Sequence, residues 1–424
     1  MFTRNRILAV LVFSIAVLFS TAFIAEAQDQ PKTCPMVVAE SLSALGTNCA
    51  NVERNTTCYG HDQVTHTAFD GDVAYTQPGQ RADLSMTKTI QTGPFDLASE
   101  HWGLNVMSVD ANLPYDLQPK HLVYIQMGGV EVENGVPAES AVQLLKTGVA
   151  TTVSSQTSLL TWPSPSILGR ASDIITTIPA GSSVSLDAIN PAGDFVRAVY
   201  QNLTGWVNKN AIDASADLST LVTIGPDSMT PMQSFYFRTG IGGTPCAEAP
   251  SLLYVQGPTN TPVDIQVFQQ PVRIESTIIL RSLPPGDQLG SALELTVLSG
   301  LGIVYPDTPG QILIPPGFKT TIPLCLQFQS LGTEGDADEK ATCGKWSDPV
   351  PLSDNELNGC APFAGIPDNI NNYPIHCPTR TCPSGTGGAK CYLVFPDPHD
   401  LDEARRACDN QLLSADVCQY LGLT

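Results

Sequence analysis

Twelve cysteines behind a signal-like amino terminus constrain the fold of this 424-residue chain more than any other feature. Arg4 and Arg6 precede an apolar stretch, Ile7 to Phe19, that is too short to span a bilayer comfortably and runs into Ala25-Glu26-Ala27. A basic start, an apolar middle and a small-residue exit are the layout of a secretory signal peptide, so residues 1–27 are expected to be removed on export. An even number of cysteines in an exported chain is expected to form disulfides rather than bind zinc or stay reduced. Cys34, Cys49, Cys58, Cys246, Cys325, Cys343, Cys360, Cys377, Cys382, Cys391, Cys408 and Cys418 are therefore all bridge candidates.

No further run of about 20 apolar residues follows, so no transmembrane anchor is expected after signal removal. Pro31-Lys32-Thr33 before Cys34 lacks the small apolar residues of a lipid-attachment site. The expectation is a secreted, extracytoplasmic chain, soluble or held at the cell surface by non-covalent contacts. It carries 41 acidic residues against 21 Lys plus Arg, a net charge of −20. Such a surface repels phosphate backbones, which excludes nucleic acid as a partner class.

About 400 residues remain after the signal, which exceeds one compact core and predicts two to four domains. Proline and glycine contribute 34 residues each, while charged residues make up only 15%. With frequent Thr, Ser, Val and Ile, this is the composition of many short strands joined by turns. The expected fold class is mainly β and multi-domain: a small barrel, sandwich-like domains and a disulfide-rich α+β carboxy-terminal tail.

Residues 28–145 read as one β-rich, cysteine-containing domain. Val37, Val38, Leu42 and Leu45 share a helical face, with Gly46 as the expected stop. Leu104 to Val109 and His121 to Met127 are apolar runs expected to be buried strands. Asn134-Gly135 is a turn signal, although Pro137 argues against a long partner strand. Residues 146–215 contain no cysteine, and turn signals recur every eight to twelve residues. Residues 225–335 show period-two alternation at Val263/Ile265/Val267, Leu293/Leu295/Val297 and Leu324/Leu326/Phe328, the pattern of half-buried strands in a sandwich or barrel.

Residues 336–424 begin within the acidic stretch 334–339, and the six cysteines from Cys360 to Cys418 are those expected of a small domain whose modest core needs covalent staples. Leu401 to Leu413 reads as a helix, and Ser414 as the cap of a last short helix stopped by Gly422. Three cysteines precede the cysteine-free module, three lie in and just after the next block, and six follow. Two odd groups imply a bridge between blocks or two reduced thiols, and the bridge is the preferred reading.

Two blocks carry a family resemblance. Pro163-Ser164-Pro165-Ser166, Ile178-Pro179-Ala180-Gly181, Asp194-Phe195-Val196-Arg197-Ala198 and Gly205-Trp206-Val207 occur in the order found in bacterial SH3-like modules. The usual Asn-x-Arg before the first turn is replaced by Leu160-Thr161-Trp162, and the usual tryptophan of the later strand by Phe195. The resemblance implies a small barrel that contacts peptidoglycan or peptides. Glu275 to Leu280, Leu295 to Gly300 and Ile314-Pro315-Pro316-Gly317 resemble successive strands of a FecR-like domain. The signalling role of that family does not carry over, because no membrane segment or cytoplasmic arm accompanies the match.

Candidate chemistry is sparse. Zinc ligation by Cys377, Cys382 and Cys391 with His376 or His399 competes with disulfides, and only the Cys377/Cys382 pair is closely spaced. Cys58, followed by His61 and His66, is the one candidate thiol nucleophile, which would make the chain a cell-wall hydrolase. Asp70-Gly71-Asp72 and Asp336-Ala337-Asp338-Glu339 lack the full alternation of a calcium loop. Asn55 and Asn202 head glycosylation sequons. Trp162, Phe195, Tyr200 and Trp206, with Arg197, form the candidate binding surface, since aromatic faces stack on sugars or peptides.

The function these features favour is non-enzymatic binding or scaffolding at the cell surface, with an envelope polymer or surface protein as partner and no cofactor or metal. An extracellular assembly subunit that pairs through strand edges is a further alternative.

Overall fold

Strands that are apolar on both faces build the centre of the fold. The computed structural model describes residues 32–117, 121–161, 163, 174–240, 246–258, 261–275, 277–283, 291–324, 344–375, 377–381, 392–395 and 398–423. The chain divides into two compact units, Met1–Thr33 and Cys34–Thr424, and of the first only Lys32 and Thr33 are described. The protein is mainly β, with several sheets and small helices near its disulfide-bonded carboxy-terminal region. Among the described residues, no helix is long and apolar enough to cross a membrane.

Two large sheets face each other. The first has nine strands in the spatial order Val350–Pro351, Phe318–Pro323, Ala292–Ser299, Thr277–Leu283, Leu252–Gln256, Leu122–Met127, Leu104–Val109, Thr56–His61 and Arg81–Asp83. The second has eight, in the order Val64–Ala68, Thr87–Thr92, Val130–Asn134, Ser234–Thr239, Val263–Val267, Gln270–Ile274, Gly302–Val304 and Ile312–Ile314.

Side chains alternate across a strand, so an apolar run fills two compartments. Leu122 and Tyr124 point between the sheets, where they join Phe235 and Phe318. Val123, Ile125 and Met127 point the other way, under the Cys34–Asn48 helix and Phe363, Ile366 and Ile370 of the tail. The nine-stranded sheet is thus the middle of three layers.

This arrangement corrects the expected domain limits. Blocks 28–145 and 225–335 do not separate, because both sheets draw strands from both. Tyr254 lies opposite Ile125 in one sheet, and Phe235 opposite Asn134 in the other. Each block alone would leave half of an apolar interior open to water. Among the described residues, the tail from 336 likewise has no core of its own. Trp346, Leu352, Leu357, Leu393 and Leu421 join the inter-sheet core, while Phe363 and Ile375 join the outer one.

The cysteine-free block folds as an insertion. The Asn134-Gly135 signal marks the exit of the chain rather than a tight hairpin, since the partner of Val130–Asn134 is Ser234–Thr239. A separate seven-stranded sheet lies between them. Its order is Ile174–Ile178, Thr157–Leu160, Leu203–Asn208, Phe195–Tyr200, Ser183–Ile189 and Val222–Thr223, with Val149–Thr152 on Ser183–Ile189. Its limits run to Thr223, beyond the expected 215. Adjacent entry and exit strands let the host sandwich close around the insertion without strain.

Smaller expectations also shift. The first helix runs through Gly46 to Asn48. Gly46 serves close approach instead of termination: a Cβ there would sit 2.6 Å from Pro367 Cγ. The late helix spans Pro398–Asp409 rather than 401–413. Ser414 caps Ala415–Tyr420 as its side chain accepts from the Val417 amide, and Gly422 follows at φ +71°. Strands form at Val263–Val267 and Ala292–Ser299, whereas Leu326 and Phe328 and the acidic stretch 334–339 lie outside the described residues.

Candidate functional site

The aromatic surface expected on the inserted module is mostly interior. Phe195 and Trp206 are buried with Leu144, Ala188 and Ile224, and Tyr115 of the sandwich packs against them. Arg197 is buried as well. Its Nε donates to Asp187 Oδ1 at 2.9 Å and its Nη2 to Asp187 Oδ2 at 2.5 Å, a bidentate pair, while Nη1 donates to the Asn112 carbonyl. These three residues hold the module together and dock it on the 111–117 loop. They are not a ligand platform. A buried guanidinium needs such saturation because an unpaired charge in the interior costs several kcal/mol. Tyr200 is partly buried against the module core, and Trp162 lies outside the described residues.

Cys58, a bridge candidate with a thiol nucleophile as the alternative, is structural. Cys58 is bonded to Cys49, so it has no thiolate to attack with. His61 Nδ1 contacts the Trp102 carbonyl, and His66 Nε2 contacts Thr87 Oγ1. Cys360 is bonded to Cys377 and Cys408 to Cys418, as bridge candidates, which leaves Cys377 unavailable to the alternative zinc set. Cys325, Cys343, Cys382, Cys391 and His376 lie outside the described residues, as does the side chain of His399. Cys34 and Cys246 lie beside one another. Asn55 is buried and donates to Asp83 Oδ1, so the folded chain shields that sequon. Asn202 is exposed at the turn between Phe195–Tyr200 and Leu203–Asn208.

What the structure adds is a cavity of about 280 Å3 on the outer face of the nine-stranded sheet. Val106, Met107 and Ser108 form its floor with His121 and Val123, Cys49 to Val52 one wall, and Asn369 to Asn372 the other. The walls are fixed by hydrogen bonds. Asn369 Nδ2 donates to the Gly46 carbonyl at 2.8 Å, Asn372 Nδ2 to the His121 carbonyl at 2.9 Å, and the Asn372 amide to Gln256 Oε1 at 2.7 Å. Cys49, held by its bond to Cys58, is part of the lining.

Three lining atoms are left over. Ser108 Oγ, His121 Nδ1 and Asn371 Oδ1 are buried with no hydrogen-bond partner. A buried polar atom without a partner costs about 1–3 kcal/mol, so three around one cavity point to something that satisfies them. No lining side chain carries a fixed charge. His121 is held neutral, its pKa pushed down to about 4 by burial and then by the nearby Arg54 charge. Arg54 itself is anchored, with Nε on Asp110 Oδ1 at 2.7 Å and Nη1 and Nη2 on the Pro114 and Leu113 carbonyls. An uncharged lining favours a neutral ligand, since an ion there would lose its hydration without gaining a counter-charge.

Sequence reasoning missed this cavity. Ser108 sits in a strand read only as apolar, and the asparagines come from a tail that the domain division had set apart. The run Asn369 to Asn372 was the one available signal. No protein-family model matches the chain, and no curated protein and no solved structure matches it either.

Proposed function

We propose that the chain is a non-enzymatic, extracytoplasmic binding protein of the cell surface, and that its cavity holds a neutral, hydroxyl-rich group the size of one sugar residue. The observation that carries this reading is the set Ser108 Oγ, His121 Nδ1 and Asn371 Oδ1, unpartnered around one uncharged space. Serine hydroxyl, amide oxygen and neutral imidazole are the groups that exchange hydrogen bonds with hydroxyls. Val52, Val106, Val123 and Ile370 supply the apolar faces that the carbon side of a sugar ring packs on. The disulfides are compatible with an oxidising location outside the cytoplasm. The resemblance of residues 146–215 to SH3-like modules supports an envelope polymer as partner. The hydrolase alternative loses its basis with the bonding of Cys58 to Cys49.

The test is calorimetric titration with neutral monosaccharides and with soluble peptidoglycan fragments. Saturable binding by the wild type, weakened roughly three- to tenfold by Ser108→Ala and by Asn371→Ala, is expected from the loss of one hydrogen bond each. Absence of binding to every sugar, or binding that both substitutions leave intact, defeats the reading.

A further inference from the structure

We propose that Cys34 and Cys246 form a disulfide in the exported protein, tying the first residue of the Cys34–Asn48 helix to the chain that follows Ser234–Thr239. The two sulfurs lie within 4.8 Å of one another although the residues stand on opposite sides of the inserted module. The described bridges are all local, with sequence separations of 9, 17 and 10. Once Cys49 is bonded to Cys58, the amino-terminal group of cysteines has Cys34 left over. A partner for it would come from another block, and folding brings Cys246 beside it.

The placement gives the bond a task. The other end of the same helix is held by Cys49–Cys58, next to the cavity wall. The buried face of the helix, Val37, Val38, Leu42 and Leu45, covers the outer side of the sheet. A Cys34–Cys246 bond would clamp this layer at both ends. It would also close a covalent ring around the whole insertion, so the inserted sheet could unfold without pulling the two halves of the sandwich apart.

The chemistry balances with an external disulfide as oxidant. Cys34 is the more accessible of the two, Cys246 being only 2% exposed. The Cys34 thiolate attacks a small disulfide and releases one thiolate. The Cys246 thiolate then attacks the Cys34 sulfur of the mixed disulfide and releases the second. The two cysteines lose two protons and two electrons, and the oxidant becomes two thiols. Glu248 Oε2, 3.3 Å from Cys246 Sγ, accepts the thiol hydrogen before oxidation. Burial, with the contacts to Cys34 and Glu248, pushes the Cys246 thiol up to about 12, so the second step quickens as pH rises.

The same three side chains, Cys34, Cys246 and Glu248, are a possible two-sulfur, one-oxygen zinc set. Zinc requires both thiolates, and an oxidising compartment removes them.

The experiment is a non-reducing peptide map of the full chain recovered from an oxidising compartment, with alkylation after denaturation but before any reduction. A linked Cys34–Cys246 peptide pair, absent from Cys34→Ser, is the expected result. In that variant the Cys246 thiol becomes alkylatable after denaturation. Stoichiometric alkylation of both residues in denatured, unreduced wild type overturns the proposal. So does about one zinc per chain whose chelation exposes both thiols. Because the map is read on the wild type, a variant that fails to fold leaves the answer intact, and sugar binding plays no part in it.

Discussion

The inserted sheet and the sandwich that carries it solve the same problem in opposite ways. The insertion builds its core from neighbours in sequence: Val153, Leu159, Val184, Leu186, Val196 and Val207 all fall within one short stretch. It contains no cysteine. The sandwich builds its core from residues as distant as Tyr59 and Leu421, and every described bridge belongs to it or to the tail that covers it. A local core closes few long loops on folding, whereas a distributed core must bring remote segments together against loop-closure entropy. The described bridges close only 9, 17 and 10 residues, so they brace local segments of the sandwich and of the tail that covers it, while its long-range closures rest on apolar burial. The comparison also explains why residue types that suggest binding on a small barrel, Phe195, Arg197 and Trp206, are structural here. A module this small needs its largest side chains for its own interior.

Phe235→Ala should separate the two regions most strongly. Phe235 is fully buried between the sheets, with its ring 5.3 Å from that of Tyr124 and 6.1 Å from that of Phe237. A loss of about 3–5 kcal/mol is expected from the missing packing and the cavity left behind. Urea unfolding should place that loss in the sandwich, with near-native hydrogen-exchange protection retained at Val196 and Val207. Equal loss of protection in both regions would show a single cooperative unit instead.

The module has its own counterpart. Asp187→Ala strips Arg197 of its buried bidentate partner and should cost about 3–5 kcal/mol, confined to the insertion. The pair Asp187→Leu with Arg197→Met should recover most of it, because two apolar side chains leave no uncompensated charge. A double variant as unstable as the single one would mean that the Asn112 contact of Arg197 carries more than the ion pair does.

A pH difference sharpens the contrast further, since residues 146–224 contain no histidine while His121 lines the sandwich cavity. The unfolded chain protonates this histidine below its ordinary value of 6.5, whereas the folded chain keeps it neutral down to about 4. Folding stability attached to His121 is therefore full above pH 6.5 and is lost as pH falls from 6.5 towards 4. The loss amounts to roughly 3 kcal/mol and levels off below that. In urea titrations at pH 7 and pH 4.5, His121→Gln should show a smaller acid loss than the wild type. An unchanged pH slope would place His121 in water rather than in the cavity wall.

Much of the local structure was legible. Alternation at Val263, Ile265 and Val267 gave a strand, Ser414 gave a cap, and the apolar runs 104–109 and 121–127 gave buried strands, because each signal depends on neighbours a few residues apart. The division into blocks misled. Turn-rich gaps between strand groups look like domain limits, yet pairing such as Tyr254 with Ile125 spans more than a hundred residues that period and composition do not see. The cavity was hidden for the same reason. Ser108 and Asn371 meet only when the tail folds over the sheet.

By itself the sequence determined strand content, a cysteine-free module, and cysteine groups of odd number that left either a bridge between blocks or two reduced thiols. Only the tertiary structure decided that two blocks share both sheets, that the module aromatics turn inward, and that Cys34 meets Cys246. Periodicity and capping act over one turn or one pleat. Which apolar face covers which, and which sulfur finds which, is set by closing water out of an interior assembled from both ends of the chain.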